Sequence, residues 1–484
     1  MKKLQLINLA LLLAITTTFA ATDKPNVLFI AIDDMNDWST LLDKNNPIKT
    51  PNLERLAARG MLFSRAYAAV PACNPSRAAI LTGYRPETTQ CFDNGVGRPW
   101  FKTKPDAVTL PQYFRNNGYM AKGAGKVFHH GGVGNGDDPR GTEHSWDDFQ
   151  KLVYTGSPHL NGYTKENGGP LAGGAYDWGE IGDKVLQGDE KMYDYVARQM
   201  DERWDKPMFL AAGIFKPHLP FYASKEFFKL YPLDKVVMPP MPANDLDDVP
   251  EIGRKMAGRE GFIYGNTTKY QPPDPRSLQR MVQCYQAAGS YADSLVGRLL
   301  DKLDASGRAT NTIIVLWADN GYHLGDKTSC VKFTLWEKAT HVPFIIVAPG
   351  VTKPGSRCET PVSLLDIYPT LIELAGLPPK ADNEGYSLMP LLKNPKADWK
   401  HPAIMTMGDG NHAVRTERWR YIRYCDWTEE LYDHDNDPWE LKNLANDPKY
   451  ASVIADLKKM LPATPKVSLS DKKRKEIDRQ QDGQ

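Results

Sequence analysis

A chain of 484 residues with 41% apolar and 25% charged residues can bury a large core, as one big domain with a smaller one or as two of similar size. Its net charge of +1 and lack of any long run of like charge give no basis for nucleic-acid binding, and Asp471 to Lys475 reads as a solvated tail or helix end. The six cysteines, at 73, 91, 284, 330, 358 and 425, are too scattered for a C-x-x-C zinc site.

Lys2 and Lys3 precede an apolar stretch from Leu9 to Ile15, with small residues at Thr18 and Ala20. This predicts a bacterial-type secretory signal peptide over residues 1–20, too short to span a bilayer. The expected location is therefore the periplasm or the medium, with a net charge of about −1 once the two leader lysines are lost. No later segment has the ~18 consecutive apolar residues a membrane helix needs, so no membrane insertion is expected. An exported chain can form disulfides, but spacing does not fix any pairing among Cys91, Cys284, Cys330, Cys358 and Cys425.

Val27 to Ile32 is a continuous apolar run rich in β-branched residues, the pattern of a strand buried on both faces, and it stops at Asp33-Asp34. A helix follows, with Thr50 as cap, Pro51 in the first turn, Leu53, Leu56 and Ala57 inward and Gly60 as stop. A further helix over Leu110 to Asn117 leads to a strand at Tyr119 to Lys122. Gly131 to Gly182 is dense in Gly, Asp and aromatics and reads as loops around a site. Downstream come a strand at Met208 to Ala212, a long helix at Leu278 to Leu303 and a second buried strand at Thr312 to Ala318, which ends in Asp319-Asn320. A strand at Phe344 to Ala348 and a helix at Leu364 to Ala375 complete a main domain over 22–377. Residues 378–484 form a smaller unit, with antiparallel alternation over Val414 to Ile422, turns at Leu431 to Asp433 and Asp437 to Glu440, and a last helix over Val453 to Leu461. Strands alternating with helices predict an α/β fold with helices on both faces of a sheet.

The richest segment is Pro71-Ala72-Cys73-Asn74-Pro75-Ser76-Arg77-Ala78-Ala79-Ile80-Leu81-Thr82, closed by Gly83. It sets a cysteine and an arginine one turn apart at a helix start, where free backbone N–H groups favour an anion. A cysteine phosphatase needs C-x(5)-R, and Arg77 is only four residues on. In open α/β sheets ligands bind beyond the carboxyl ends of strands, where Asp33-Asp34 and Asp319-Asn320 stand. Such carboxylates repel unless a cation joins them, and all-oxygen ligation suits calcium or magnesium better than zinc. Lys126 and His129 follow a glycine-rich turn after one strand, and Lys216-Pro217-His218 follows another. Lys332, just after the second oxygen-rich pair, adds a further cation.

The string C-x-P-S-R-x(3)-L-T-G, met at Cys73, Pro75, Ser76, Arg77, Leu81, Thr82 and Gly83, resembles the signature of the type I sulfatases. G-K-V-F-H at Gly125 to His129, K-P-H-L-P-F at Lys216 to Phe221, A-T-H-V-P at Ala339 to Pro343 and L-T-G-Y-R-P-E-T-T after the cysteine are closest to the iduronate-2-sulfatase branch. The similarity runs from Asn26 to Asn443; Asn320 departs from that branch, which tends to carry histidine there.

The resemblance implies an alkaline-phosphatase-like fold, with a large mixed, mainly parallel sheet flanked by helices and a smaller C-terminal α+β subdomain on a short antiparallel sheet. It implies that Cys73 is oxidised to formylglycine by a formylglycine-generating enzyme, and that Asp33, Asp34, Asp319, Asn320 and the residue at 73 bind one divalent cation, usually calcium. It also implies roles. One hydroxyl of the hydrated aldehyde attacks sulfur, Arg77 holds the diol, Lys126 and Lys332 neutralise sulfate, His218 protonates the leaving oxygen and His129 acts as base. The expected partner is a sulfated oligo- or polysaccharide, foremost a 2-O-sulfated uronic acid, with carrageenan or another algal galactan as the alternative. Arg98, Trp100, His130 and Trp178 lie in loops expected to reach the sugar. A phosphatase or phosphodiesterase of the same superfold calls for two zinc ions and several histidines, which this donor set lacks. A non-catalytic sulfated-glycan-binding protein would lack the nucleophile or the basic residues, and both are present.

Overall fold

The computed structural model describes residues 24–95, 100–129, 136–152, 178–181, 187–258 and 277–462. The expected signal peptide, Arg98, His130 and most of the Gly131 to Gly182 stretch lie outside the described residues.

An eight-stranded sheet organises the main body, with spatial order Ser356–Cys358, Met61–Phe63, Phe344–Val347, Thr312–Ala318, Asn26–Asp33, Met208–Pro217, Met120–Gly125 and Asp148–Gln150. The three longest strands sit at its centre, and nearly every residue in them is buried. That explains their unbroken apolar runs, since helices cover both faces of a parallel sheet. Only Phe344–Val347 runs against the others, pairing antiparallel with Thr312–Ala318 on one side and Met61–Phe63 on the other. Sequence pattern does not reveal strand direction, because the ladder is made by backbone groups that every residue carries.

Register aligns the ends that matter. Ile32 pairs with Ala318, so Asp33 and Asp319 leave the sheet side by side, and Asp33 lies opposite Pro217 where the ladder with the Met208–Pro217 strand shifts. Gly213 lets the Lys126 backbone close onto that strand, since a Cβ there would lie 2.3 Å from the Lys126 carbonyl carbon. In the glycine-rich turn itself, Gly125 has φ 81° and a Cβ there would lie 2.0 Å from Gly213 O, so the turn is a packing requirement as well as a loop signal.

The helix at Pro51–Ala57 forms as expected, but Thr50 does not cap it. Its hydroxyl accepts from the Leu41 N–H at 3.1 Å instead, while Asp293 on the Ser277–Ala305 helix accepts from the N–H groups of Asn52 at 3.0 Å and Leu53 at 2.8 Å. A carboxylate from a distant helix thus satisfies the free donors.

The C-terminal part is a four-stranded antiparallel meander, Ala403–Thr406, His412–Arg415, Trp419–Arg423 and Glu429–Asp433, covered by the Ala451–Lys458 helix. Val414 to Ile422, read as alternating strand, is broken at Thr416 to Arg418 into two strands. Leu431 to Asp433, read as a turn, belongs to the fourth strand. Val414, Tyr421, Leu431, Ile454 and Leu457 make a small separate core. Thr406 donates its N–H to Ala69 O at 2.9 Å, which ties this sheet to the segment leading into Cys73.

Candidate active site

Cys73 to Thr82 forms a helix preceded by extended Ala72 and closed by Gly83 in the left-handed conformation at φ 77°. Ser76 Oγ donates to Asp319 O at 2.5 Å, pinning the helix to a strand end. Asn94 Oδ1 accepts from the Asn74 N–H at 2.9 Å and so takes one of the free donors at the helix start. Leu81, Thr82 and Gly83 are structural members of the motif, whereas Cys73 and Arg77 face the strand ends.

Those strand ends deliver oxygen. Ligand atoms of Asp33, Asp34, Cys73 and Asp319 all lie within 4.8 Å of one another, and all four residues are buried. Asp34 adopts φ 61°, held by Tyr285, whose hydroxyl donates to Asp34 O at 2.6 Å while accepting from the Asn36 N–H at 2.9 Å. Asp319 Oδ1 accepts from the N–H groups of Asp34 at 3.0 Å and Asn320 at 2.9 Å. Asn320 Nδ2 donates to Asp34 Oδ1 at 2.8 Å; its buried Oδ1 meets no donor among the described residues.

Three cations balance the three carboxylates. Arg77 places Nε 2.7 Å from Asp319 Oδ2 and Nη2 3.2 Å from Asp33 Oδ1, while Nη1 donates to the carbonyls of Lys126 and Val127. Lys126 Nζ pairs with Asp33 Oδ2, and Lys332 Nζ pairs with Asp34 Oδ1 and lies 2.7 Å from Cys73 Sγ. Burial opposes ionisation of Asp33, yet Lys126, Arg77 and Lys332 outweigh it and hold that carboxyl well below its usual range. Asp34 is pushed up to about 6 by burial, against the pull of Lys332 and with help from Asp33 and Asp319. Burial and the Asp33 carboxylate drive the Cys73 thiol well above its ordinary value. An unmodified Cys73 is therefore a protonated, enclosed thiol at neutral pH and a poor nucleophile.

Two imidazoles border the group. His218 Nδ1 donates to its neighbour's carbonyl, Leu219 O, at 2.6 Å, which leaves Nε2 facing the carboxylates, 3.7 Å from Asp34 Oδ2. His129 Nδ1 is buried with no partner among the described residues, and Lys126, Lys332, Arg77 and Asp319 set its electrostatic surroundings. Burial first and then Lys126 and Lys332 lower the proton affinity of both rings, so each is neutral near pH 7.

The structure thus brings together Asp33, Asp34, Cys73, Arg77, Lys126, His129, His218, Asp319, Asn320 and Lys332. It does not present the two predicted aromatic readers that are described. Trp100 is 2% exposed, with the Arg140 guanidinium 4.9 Å from its ring centre and Phe101 packed edge-on. Trp178 is buried on a short strand paired with Phe221. Both of these indoles are recruited to packing rather than left open. His323, beside the Asp319-Asn320 pair, is fully buried, bonded through Nδ1 to Asp326 and through Nε2 to Thr334 Oγ1, and so braces the loop that carries Lys332. Cys73, Cys91, Cys330 and Cys358 form no disulfide among the described residues. Tyr285 and Asn94 also shape the site without belonging to any of its sequence motifs, and of these two only Asn94, in the Asp93-Asn94-Gly95 turn, carries a local signal. Lys216, within K-P-H-L-P-F, shapes it through a side chain turned back on its own loop.

Residues 25–377 match the family model described as Sulfatase. The chain belongs to the sulfatase family. A second model, described as the C-terminal region of N-sulphoglucosamine sulphohydrolase, matches residues 325–466. This sulfatase is 38% identical to a sulfatase of Formosa agariphila, over 91% of this chain and 87% of that protein. It is 33% identical to iduronate 2-sulfatase of Homo sapiens, over 75% of this chain and 72% of that one. Among solved structures, the phosphonate monoester hydrolase of Silicibacter pomeroyi superposes with a TM-score of 0.73 at 22% identity, covering 92% of this chain and 97% of that chain. A 2-O GAG sulfatase superposes with a TM-score of 0.67 at 21% identity, covering 96% and 94%. The fold is the alkaline-phosphatase-like sulfatase fold, a large mixed sheet with a small C-terminal antiparallel sheet. The protein is a sulfuric ester hydrolase. No described helix is long and apolar enough to cross a membrane.

Proposed function

We propose that this sulfatase, after export to the periplasm or medium, removes the 2-O-sulfate of a uronic acid in a sulfated glycan, with formylglycine at position 73 and one calcium ion. The observation that carries the chemistry is the setting of Cys73, whose Sγ lies among three buried carboxylates with Lys332 Nζ at 2.7 Å. The similarity to human iduronate 2-sulfatase supports the uronate.

The residues fit both groups. Asp33, Asp34 and Asp319 offer buried carboxylate oxygens, and the unpartnered Asn320 Oδ1 completes an all-oxygen set of the kind hard divalent cations take. When bound, the cation supplies a fixed charge for a sulfate oxygen and lowers a hydroxyl pKa. Hydrated formylglycine supplies a hydroxyl nucleophile where the thiol is inert, and a second hydroxyl through which sulfate can later depart.

The chain's own groups do the rest. Arg77, held by Asp33, Asp319 and two carbonyls, is a rigid floor under position 73. Lys126 and Lys332 place ammonium charge where the sulfate oxygens gather, in a buried site where such charge acts strongly. Burial first and then Lys126 and Lys332 lower the proton affinity of His218; a bound sulfate ester offsets the two lysines and so favours the proton on Nε2 that the ring hands to the leaving alcohol oxygen. His129, neutral and with no partner on Nδ1 among the described residues, accepts the proton released from position 73.

The test is peptide mass analysis of protein co-produced with a formylglycine-generating enzyme, followed by sulfate release from a panel of oligosaccharides. The reading expects conversion at 73 and release from 2-O-sulfated uronides. Release only from sulfated galactose would remove the uronate and keep the chemistry; turnover of phosphonate esters alone would remove the sulfatase reading.

A further inference from the structure

Lys216 is 3% exposed, and the roles assigned above leave it without one. It stands at the end of the Met208–Pro217 strand, two residues before His218, and its side chain turns back on its own loop. Its ammonium donates to His218 O at 2.9 Å and to Pro220 O. The Leu219 carbonyl between them takes the opposite course and accepts from His218 Nδ1. Three successive carbonyls are therefore sorted, two to Lys216 and one to the imidazole.

The surrounding groups hold that arrangement from both sides. Asp189 Oδ1 accepts from the Phe215 N–H at 2.8 Å and Asp189 Oδ2 from the Lys216 N–H at 3.3 Å, while the His218 N–H donates to Phe215 O at 3.0 Å. The Phe215 ring packs 4.8 Å from the His218 ring, with Lys216 Nζ 4.9 Å and Lys126 Nζ 5.2 Å from its centre. The Phe215 ring thus lies close to both ammonium groups and to the His218 imidazole. Burying an ammonium against carbonyls is costly and a solvent-facing residue would avoid it. Without the clamp, the His218 and Pro220 carbonyls lose their shared donor and the Leu219 peptide is free to turn. The imidazole then loses the acceptor that keeps its proton on Nδ1.

We propose that Lys216 is a positioning residue, which sorts the carbonyls of residues 218–220 so that His218 keeps Nδ1–H bonded to Leu219 and presents Nε2 to the leaving oxygen. The inference rests on the acid role assigned to His218 under the proposed function. The proton concerned leaves His218 Nε2 for the alcohol oxygen as the S–O bond breaks, and Lys216 itself transfers none.

The experiment compares wild type, Lys216→Met, Lys216→Arg, His218→Ala and the Lys216→Met/His218→Ala double variant, all as converted, calcium-loaded protein. Two esters are used, a 2-O-sulfated uronide with a sugar-alcohol leaving group and 4-nitrophenyl sulfate, whose phenolate departs without a proton. Lys216→Met should lower kcat on the uronide by about tenfold or more with KM little changed, and leave the aryl ester within about threefold. Lys216→Arg should recover most of the loss, and the double variant should be no worse than His218→Ala, because both changes act on one step. An independent readout uses unmodified, metal-free protein, in which the ¹⁵N shifts of His218 should report Nδ1–H in wild type and a tautomer mixture in Lys216→Met. Where the methionine variant melts below assay temperature, Lys216→Gln carries the same comparison. Equal losses on both esters, multiplying losses in the double variant, or an unchanged His218 tautomer would overturn the role of Lys216. If His218→Ala itself affects both esters alike, the acid assignment falls and the inference with it; if only His218→Ala discriminates, the inference alone falls.

Discussion

Replacing His341 with glutamine should remove a pH-dependent part of the stability. The imidazole is buried against Tyr67, with Nδ1 3.3 Å from Asp37 Oδ2 and 3.2 Å from Glu337 Oε1, and Nε2 donating to Ser64 O at 2.8 Å. Burial works against its charge, yet the bonds to Asp37 and Glu337 prevail and raise its pKa to about 9 from 6.5. A raised value means that the folded state binds the proton more tightly, so the stabilisation is full below pH 6.5 and disappears as pH rises through 9. The shift corresponds to about 3 kcal/mol. With an unfolding entropy of about 2 cal/mol/K per residue, that separates melting midpoints by roughly 3 °C in a chain of this length. Other groups titrate in the same window; Asp366, pushed up to about 7 by burial, also loses stability with rising pH, while Lys216, pushed down to about 7 by burial, gains it. The difference between wild type and His341→Gln cancels these. Melting both proteins at matched scan rate from pH 6 to pH 10 should show the gap closing above pH 9. A gap that is the same at both ends would refute the assignment of a charged His341.

Trp100→Ala should lower the melting temperature, as loss of a buried indole costs about 3–5 kcal/mol, while the KM of the soluble variant stays near wild type because the ring faces packing. Chelation of the purified enzyme should lower both activity and melting temperature, with calcium restoring them better than zinc, and Asn320→Ala should raise the calcium concentration needed. A formylglycine-generating enzyme should convert a peptide spanning Pro71 to Gly83 but not the folded Cys73 protein, since Cys73, Pro75, Ser76 and Arg77 are all enclosed; conversion of the folded form, read by mass, would contradict that burial.

Features written in short-range pattern were legible in the sequence. The buried central strands, their acidic ends, the helix after Cys73 and its glycine stop follow from apolar runs and backbone freedom, and all appear. The grouping of Lys126 and His218 with the carboxylates follows from strand ends sharing one edge, and that of Lys332 from its place just after the second oxygen-rich pair. What escaped depends on partners far away in the chain. Asp293 caps a helix some 240 residues away and displaces the expected Thr50, and Phe344–Val347 reverses direction through its pairing with Thr312–Ala318. Trp100 and Trp178 misled for a related reason, since aromatics in glycine-rich loops serve packing and ligands equally well and only burial separates the two.

In the proposed mechanism, position 73 performs its chemistry only once its sulfur is gone. The most direct measurement is sulfate release per mole of formylglycine, from preparations in which mass spectrometry gives different fractions of conversion at residue 73. Activity should be proportional to that fraction, with none from fully unmodified protein and none from Cys73→Ala. Activity independent of conversion, or full release by Cys73→Ala, would contradict that mechanism.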